Sequence, residues 1–143
     1  MSYSCSVKTI SRSSGRSATA AAAYRNAELI IDTRTGERHD YSRRSGVESV
    51  LWFAPVGCAQ QTSADLWNRV EAAEKRKNST VAREVLVALP HELNPAQRRQ
   101  LVERMTAQLA ERYGVAGTAA IHSPGREGDQ RNWHAHILMT TRK

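Results

Sequence analysis

The sequence predicts an α+β fold of two layers, a mainly antiparallel sheet with helices packed on one face. Two observations predict this class. Several segments alternate apolar and polar residues, which is the two-residue period of strands. Segments with a helical period and recognisable caps lie between them, in the order β-α-β-β-(β)-α-β-α-β-β. The 143 residues suffice for one domain with its own core.

The first half of the chain opens with a strand, because SYSCSVKTI alternates between two faces. A loop rich in serine and glycine then leads into an alanine-rich helix at about residues 17–28. The segment LIIDTRTGERHDYS predicts a hairpin with its turn at Thr35-Gly36. The apolar segment SVLWFAP predicts a further strand or a buried segment, which Pro55 ends.

The second half contains two predicted helices. The first, in TSADLWNRVEAAEKRKN, has Ser63 or Thr62 as its N-cap. The second, in NPAQRRQLVERMTAQLAERYG, is capped by Asn94 and ended by Gly114. We expect its buried stripe to consist of residues four apart, namely Leu101, Met105 and Leu109.

Three predicted strands belong to this half. STVAREVLVALP forms one of them before the long helix. GTAAIH and WHAHILMTT form the other two after it, and the polar loop SPGREGDQRN joins them. A loop of this length allows the last two strands to pair side by side.

The charge is the least ordinary feature of the composition. The chain has 21 Lys and Arg against 14 Asp and Glu, which gives a net charge of +7 and a pI near 10.0. A basic domain of this size favours a polyanionic partner, and nucleic acid is the commonest one. No segment combines a Trp/Leu face with a Lys/Arg face, so we expect no membrane partner.

The two cysteines, Cys5 and Cys58, form no CxxC motif and have no spacing typical of a zinc site. The N-terminus lacks the apolar core of a signal peptide, and no run approaches membrane-spanning length. We therefore expect a cytoplasmic monomer whose thiols are reduced and fill small spaces in the core.

Three of the five histidines are placed to meet. His134 and His136 are two residues apart on a predicted strand, so their side chains point the same way. His122 ends the preceding strand, and a hairpin would bring all three imidazoles together. Such a trio binds a divalent cation and leaves positions open for substrate oxygens, which suits Lewis-acid chemistry on phosphate. His39 and His91 have no comparable neighbours, and we expect no metal role for them.

A metal aimed at a phosphodiester needs an attacking group. Water would make the protein a hydrolytic nuclease, and a side-chain hydroxyl would give a covalent intermediate. Tyr24 is the main candidate, because the four alanines before it leave one large side chain on a slim helix. Tyr41 competes with it, and Tyr113 is expected to pack at a helix end. The structural alternative for Tyr24 is a ring in the core with its hydroxyl at the rim.

Three blocks together resemble the MobA/MobL family of plasmid mobilisation relaxases, which are HUH endonucleases named for a His-hydrophobic-His motif. The blocks are SVKTISRSSGRSATAAAAYRNAE, AREVLVALPHELNPAQRRQLV and AIHSPGREGDQRNWHAHILMTTR. HxH alone is a weak signal, but the order and spacing of all three blocks match over essentially the whole chain. The resemblance implies that residues 1–143 form a relaxase domain of the HUH type, and we expect it to be the N-terminal part of a longer protein.

The resemblance implies that the protein nicks one strand of plasmid DNA at a transfer origin during conjugative transfer. Tyr24 would attack the scissile phosphate, giving a 5′-phosphotyrosyl link and a free 3′-hydroxyl, and the reverse step would rejoin the strand. His122, His134 and His136 would hold the cation. Mg²⁺ or Mn²⁺ is expected, although three imidazoles prefer Zn²⁺ or Ni²⁺ by affinity.

Glu84 matches the glutamate of the family's REV…ALP block. A carboxylate there is expected to orient a metal-bound histidine or to assist proton removal from the tyrosine. Leu86 stands where relatives can carry a second acidic residue, so this chain does not support a scheme with two carboxylates.

Single-stranded DNA at a transfer origin is the expected partner, and the resemblance adds accessory DNA-binding and type IV secretion proteins. Basic residues that flank the proposed site in sequence are candidates for phosphate contacts. They are Lys8, Arg12, Arg16, Arg25, Arg43, Arg44, Arg83, Arg126 and Arg131.

Three other functions stay open at this point. A rolling-circle replication initiator or a transposase of the HUH class would use the same chemistry on a different DNA. A non-catalytic DNA-binding module would carry structural histidines, and a metal-dependent nuclease would use water. A covalent protein–DNA adduct that survives denaturation separates the tyrosine enzymes from the other two.

Overall fold

The computed structural model describes residues 5–74, 76, 79–125 and 130–141. Within these ranges the chain forms seven strands and three α-helices. The strands are β1 (Cys5–Ser11), β2 (Leu29–Ile31), β3 (Arg38–Asp40), β4 (Val47–Phe53), β5 (Thr80–Leu89), β6 (Gly117–His122) and β7 (Trp133–Met139). The helices are α1 (Ala18–Asn26), α2 (Ser63–Ala73) and α3 (Pro95–Tyr113).

Five strands form one antiparallel sheet in the order β1-β5-β7-β6-β4, and β2 pairs with β3 in a separate hairpin. The α+β class and the antiparallel sheet predicted from the sequence are confirmed. β7 lies at the centre of the sheet between β5 and β6. Strand β6 approaches β7 closely at Gly117, which has no side chain. A Cβ atom added there would lie 1.9 Å from the carbonyl oxygen of Leu138.

Helices cover both faces of the sheet, which differs in this detail from the prediction of one covered face. Successive residues of a strand point to opposite faces. Ile137 belongs to the core that α3 covers, and Leu138 belongs to the core that α1 and α2 cover. The central strands carry buried apolar side chains on both faces, so both faces need a helix to exclude water.

The long helix α3 has the predicted caps but not the predicted buried stripe. Asn94 and Gln97 form a reciprocal capping box, and Gly114 ends the helix in the left-handed conformation. The row that faces the sheet lies one residue further on and consists of Arg98, Val102, Thr106 and Ala110. The expected residues Leu101, Met105 and Leu109 are only partly buried beside the core. The prediction failed because a buried arginine was not anticipated in the row.

The alanine-rich helix α1 lies against the sheet and is fixed at its start. Ser17 is its N-cap and accepts a hydrogen bond from the backbone N–H of Ala20. The buried carboxylate of Glu71 in α2 accepts a hydrogen bond of 3.0 Å from the Ala18 N–H. The other carboxylate oxygen pairs with Arg12 at 2.7 Å. This network holds α1 and α2 together beneath the loop after β1.

The two cysteines lie at the surface of the protein. Cys5 and Cys58 are both exposed, so the expectation that they fill the core is wrong. Cys5 lies on β1, an edge strand of the sheet, and Cys58 lies in the loop before α2. In the described part of the chain, no helix combines the length and apolar composition needed to span a bilayer.

Candidate active site

The pairing of the last two strands brings three imidazoles together on the α1 face of the sheet. His122 pairs directly with His134, and His136 follows two residues on. The ring centroids of His122 and His136 lie 4.4 Å apart, and those of His134 lie 5.2 Å from His122 and 5.1 Å from His136. One nitrogen of each ring lies within 4.8 Å of the corresponding nitrogens of the other two.

Each imidazole has an oxygen acceptor at one ring nitrogen. His122 Nε2 lies 2.7 Å from the carbonyl oxygen of Arg25, and His136 Nδ1 lies 3.0 Å from Glu84 Oε2. His134 Nδ1 lies 3.2 Å from the carbonyl oxygen of Asn132. Because a carbonyl or an ionised carboxylate only accepts, each of these nitrogens carries the hydrogen. The lone pairs therefore lie on the remaining nitrogens, which are Nδ1 of His122 and Nε2 of His134 and His136.

The histidine cluster favours neutral imidazoles. Burial and the neighbouring histidines and Arg44 lower the pKa of His122 to about 4, although its hydrogen bond to Arg25 opposes the shift. Burial also lowers the pKa of His134, and the charges of His136 and Arg44 act in the same direction. Both rings are thus unprotonated at neutral pH, which is the form that binds a metal ion.

Glu84 is a buried carboxylate that touches the cluster from β5. Burial raises its pKa, but hydrogen bonds from His136 and Arg25 and the charge of Arg25 outweigh burial and lower it to about 2. The carboxylate is 1% exposed, and its Oε2 accepts from both partners. Leu86 lies opposite His136 in the β5–β7 pairing, so no second carboxylate approaches from that position. Glu84 can therefore orient the His136 ring and fix its tautomer.

Tyr24 lies at the end of α1 next to the cluster. It precedes Arg25, whose carbonyl group accepts the His122 hydrogen bond, and its side chain is 46% exposed. Its ring meets the ring of Tyr41 edge to face, with centroids 5.2 Å apart. The guanidinium carbon of Arg44 lies 4.0 Å from the Tyr24 ring centroid, and Arg44 donates a hydrogen bond of 2.9 Å to the Tyr24 carbonyl oxygen. The phenol is accessible and held on two sides.

Several candidate DNA contacts lie near this site. Lys8 is exposed and pairs with Glu84 across β1 and β5, so it lies on the face of the histidines. Arg16 lines a groove beside Tyr24. Arg43 is exposed next to Arg44, and Arg131 is exposed just before β7.

Three other candidates are placed differently from the prediction. Arg12 pairs with Glu71, and Arg25 pairs with Glu84, so each guanidinium is bound inside the protein. Arg83 neighbours Glu84 on β5 and therefore points to the opposite face of the sheet. These three do not fit the expected role in holding phosphates at the site. Arg126 lies outside the described residues.

Two features near the site were not anticipated from the sequence. The backbone carbonyl groups of Arg25 and Asn132 act as acceptors for His122 and His134, and no residue type signals such a contact. His39 lines the same groove as Tyr24, although the sequence indicated no partner for it. His91 lies away from the histidine trio in sequence and contacts its neighbour Glu92 at 2.7 Å.

The fold and the site define an α+β protein whose central strands bring three histidines together beside an exposed tyrosine. The MobA/MobL family profile matches residues 16–143. Mobilization protein MobL of Acidithiobacillus ferridurans is 42% identical over 96% of this chain, which spans 42% of that protein. The probable mobilization protein MobA of Bifidobacterium longum is 37% identical over 99% of the chain, which spans 25% of it.

A solved structure shares the whole fold. It comes from work on the molecular basis of vancomycin resistance transfer in Staphylococcus aureus, and it matches with a TM-score of 0.90 and 32% identity. The match covers 100% of this chain and 72% of the other. The chain belongs to the MobA/MobL family, as the resemblance predicted. It spans less than half the length of the two curated relatives.

Proposed function

We propose that this chain is the nicking domain of a metal-dependent relaxase, which cuts and rejoins one strand of plasmid DNA at a transfer origin. The observation that carries the proposal is the convergence of His122, His134 and His136 at the end of α1, where the carbonyl group of the residue after the exposed Tyr24 accepts the hydrogen bond of His122. Family membership supports a role in mobilisation over replication or transposition by the same chemistry. The basic charge of the chain supports DNA as substrate.

The donor set fits a divalent cation. One ring nitrogen of each histidine lies within 4.8 Å of those of the other two, and each ring keeps one lone pair that its hydrogen bond does not use. Bound there, Mg²⁺ or Mn²⁺ would withdraw charge from a phosphate oxygen and leave the in-line positions to the attacking and leaving oxygens. The imidazoles would also accept Zn²⁺ or Ni²⁺.

In the proposed reaction, the Tyr24 oxygen forms a bond to phosphorus and loses its proton. The bond from phosphorus to the 3′-oxygen breaks, and that oxygen gains a proton to become a free hydroxyl. The product keeps an ester of the same kind as the original phosphodiester, so the strand can be rejoined by the reverse attack. A water nucleophile would lose this reversibility.

Glu84 serves as a positioning residue in this proposal. Its carboxylate accepts the Nδ1 hydrogen of His136, which keeps the Nε2 lone pair directed at the cation. It also neutralises Arg25, whose backbone carbonyl group orients His122. One carboxylate therefore contacts the His136 ring directly and is linked to the His122 ring through Arg25.

The test is formation of a covalent adduct. Wild-type protein and Mn²⁺ are incubated with a single-stranded transfer-origin oligonucleotide, and denaturing electrophoresis then detects protein joined to DNA. We expect Tyr24→Phe to abolish the adduct without changing thermal unfolding. The matched control Tyr113→Phe, on an exposed tyrosine at the end of α3, keeps it.

The other outcomes contradict the proposal in distinct ways. Cleavage without an adduct would identify a nuclease that uses water. Neither cleavage nor adduct would indicate a binding module. Loss of the adduct in Tyr41→Phe but not in Tyr24→Phe would transfer the role of nucleophile to Tyr41, whose ring contacts that of Tyr24.

A further inference from the structure

A groove of about 540 Å³ runs beside α1 and ends at Tyr24. One wall is the α1 row Ser17, Ala20, Ala21 and Tyr24, which repeats at helical spacing. The opposite wall is the β2–β3 hairpin, which contributes Arg34, Glu37 and His39. Its volume falls within the range of roughly 300–1,000 Å³ that is usual for ligand clefts.

The hairpin wall is fixed to α1. Asp32, at the end of β2, accepts a hydrogen bond of 2.7 Å from the hydroxyl group of Thr19 in α1. The other oxygen of Asp32 accepts from the backbone N–H groups of Arg34 and Thr35 at 2.9 and 3.2 Å. Both ends of this link are buried, so the groove is a preformed feature of the fold.

The two exposed arginines of the groove, Arg16 and Arg34, have different surroundings, because Arg34 interacts electrostatically with the buried carboxylate of Asp32. Arg16 and Arg34 are exposed, and in the described part of the chain neither forms an ion pair. Arg12 and Arg25 also line the groove, but they are bound to Glu71 and Glu84. The exposed carboxylate of Glu37 is the acid that lines the groove. Two exposed guanidinium groups that form no direct ion pair, beside the small side chains of Ala20 and Ala21, suit a phosphate backbone, because the small side chains allow close approach.

The direction of the strand follows from the proposed chemistry. In phosphoryl transfer, the attacking and leaving oxygens lie roughly in line on opposite sides of phosphorus. The 3′-oxygen therefore departs on the side away from Tyr24. Tyr24 lines the groove and the three histidines do not, so we place the groove on the tyrosine side, where the flank that leaves with the free 3′-hydroxyl does not extend.

We propose that this groove binds the DNA flank on the 3′ side of the cut, which stays attached to Tyr24 through its 5′-phosphate. Arg16 and Arg34 contact its phosphates, and the imidazole of His39 lies against a base or sugar. The proposal rests on the relaxase function proposed above and adds a subsite to it. Such a subsite would retain the transferred strand until it is rejoined.

The experiment compares two oligonucleotides after the cut position has been mapped by the adduct assay. One ends at the nucleotide after the cut, and the other extends four nucleotides further on the 3′ side. Dissociation constants are measured with fluorescent oligonucleotides in a chelator, so that no strand is cut. For the wild type, we expect the extension to lower the Kd about tenfold, and for Arg16→Ala/Arg34→Ala we expect that gain to disappear. The salt slope for the extended oligonucleotide should fall by about 1.4, which is roughly 0.7 for each of two phosphate contacts on a single strand.

The matched control is Arg38→Ala, which removes an exposed arginine of the same hairpin that pairs with Asp40 at 3.6 Å and does not line the groove. It should keep the gain from the 3′ extension. The proposal is overturned if the double variant keeps the gain, if it weakens both oligonucleotides equally, or if it loses a gain from a 5′ extension instead. Failure of the relaxase function itself would appear earlier, as absence of any adduct from wild-type protein.

Discussion

The two faces of the sheet are built from different kinds of residue. On the α3 face, β7 contributes Ala135, Ile137 and Met139 to an apolar core. On the α1 face, the same strand contributes His134 and His136, and Leu138 is its only member of the apolar core there. One strand thus serves two purposes, because successive residues point to opposite faces: one set packs in the core under α3, and the other set provides two of the three histidines.

The α1 face also contains buried polar groups that the fold must satisfy. Thr19, Asp32, Glu71 and Glu84 are each at most 1% exposed, and each has a hydrogen-bond or ion-pair partner. Burial of such groups costs free energy unless they are paired. The apolar core on each face stabilises the fold, and the α1 face in addition contains this polar arrangement.

The largest expected contrast comes from two adjacent residues of β7. Ile137→Ala should lower the free energy of unfolding by about 2–5 kcal/mol, because it leaves a cavity in the α3 core. Its affinity for Mn²⁺ should match that of the wild type. His136→Ala should instead abolish measurable Mn²⁺ binding. Urea unfolding in a chelator gives the first quantity, and calorimetric titration with Mn²⁺ gives the second.

The two faces would not have separate roles if Ile137→Ala also lowered the affinity for Mn²⁺, or if His136→Ala also lowered the free energy of unfolding. A loss of Mn²⁺ affinity in Ile137→Ala beyond about threefold would mean that the core and the site are coupled. A loss of several kcal/mol in His136→Ala, measured without metal, would mean that the imidazole is chiefly a structural residue.

Much of this division could be predicted from the sequence. The pattern WHAHILM placed two histidines on one face of a strand, and the position of His122 at the end of the preceding strand indicated the third. Caps and turns, such as Asn94 before α3 and Gly36 in the hairpin, could be recognised because they depend on local backbone geometry.

The errors concern contacts between residues that are distant in sequence. Arg12 and Arg25 were expected to hold DNA, but each pairs with a glutamate 59 residues away. Alternation along a strand shows which residues share a face of the sheet, but it does not show which helix covers that face. The presence of helices on both faces was therefore not predicted. The predicted buried row of α3 was wrong by one residue. Its first member is Arg98, whose guanidinium group can be buried because it pairs with Glu48 and lies over the ring of Trp133.

A smaller effect is expected from Glu84→Gln on the α1 face. The amide keeps the shape but removes the charge that holds the Nδ1 hydrogen of His136 and neutralises Arg25. We expect the affinity for Mn²⁺ to fall by about 10–100-fold, as for other groups that orient metal-bound histidines. The control Glu103→Gln removes an exposed carboxylate paired with Arg99 on α3 and should leave the affinity unchanged. Equal affinities of the wild type and Glu84→Gln for Mn²⁺ would show that Glu84 does not orient the metal-binding histidines.

The smallest effect is an acid dependence of stability that belongs to the α1 face. The pKa of His122 falls from 6.5 in the unfolded chain to about 4 in the folded protein. Between these values the unfolded chain binds more protons, so stability is complete above pH 6.5 and decreases as the pH falls towards 4. Glu84, with its pKa lowered from 4.5 to about 2, continues the loss at lower pH. In a chelator, we expect a loss of about 1 kcal/mol between pH 6.5 and about pH 5.5.

Measurements on two variants can show that the loss of stability at acid pH comes from the α1 face. His122→Asn should reduce the dependence between pH 6.5 and 4, because it removes one of the two histidines whose pKa is lowered on folding, and His134 accounts for the part that stays. Ile137→Ala should lower the whole curve without changing its slope, because no proton binds in the apolar core. An unchanged slope in His122→Asn would show that another group titrates there. Saturating Mn²⁺ should steepen the wild-type dependence, because protons and the cation compete for the same imidazole nitrogens and the stabilisation by bound metal is lost on acidification.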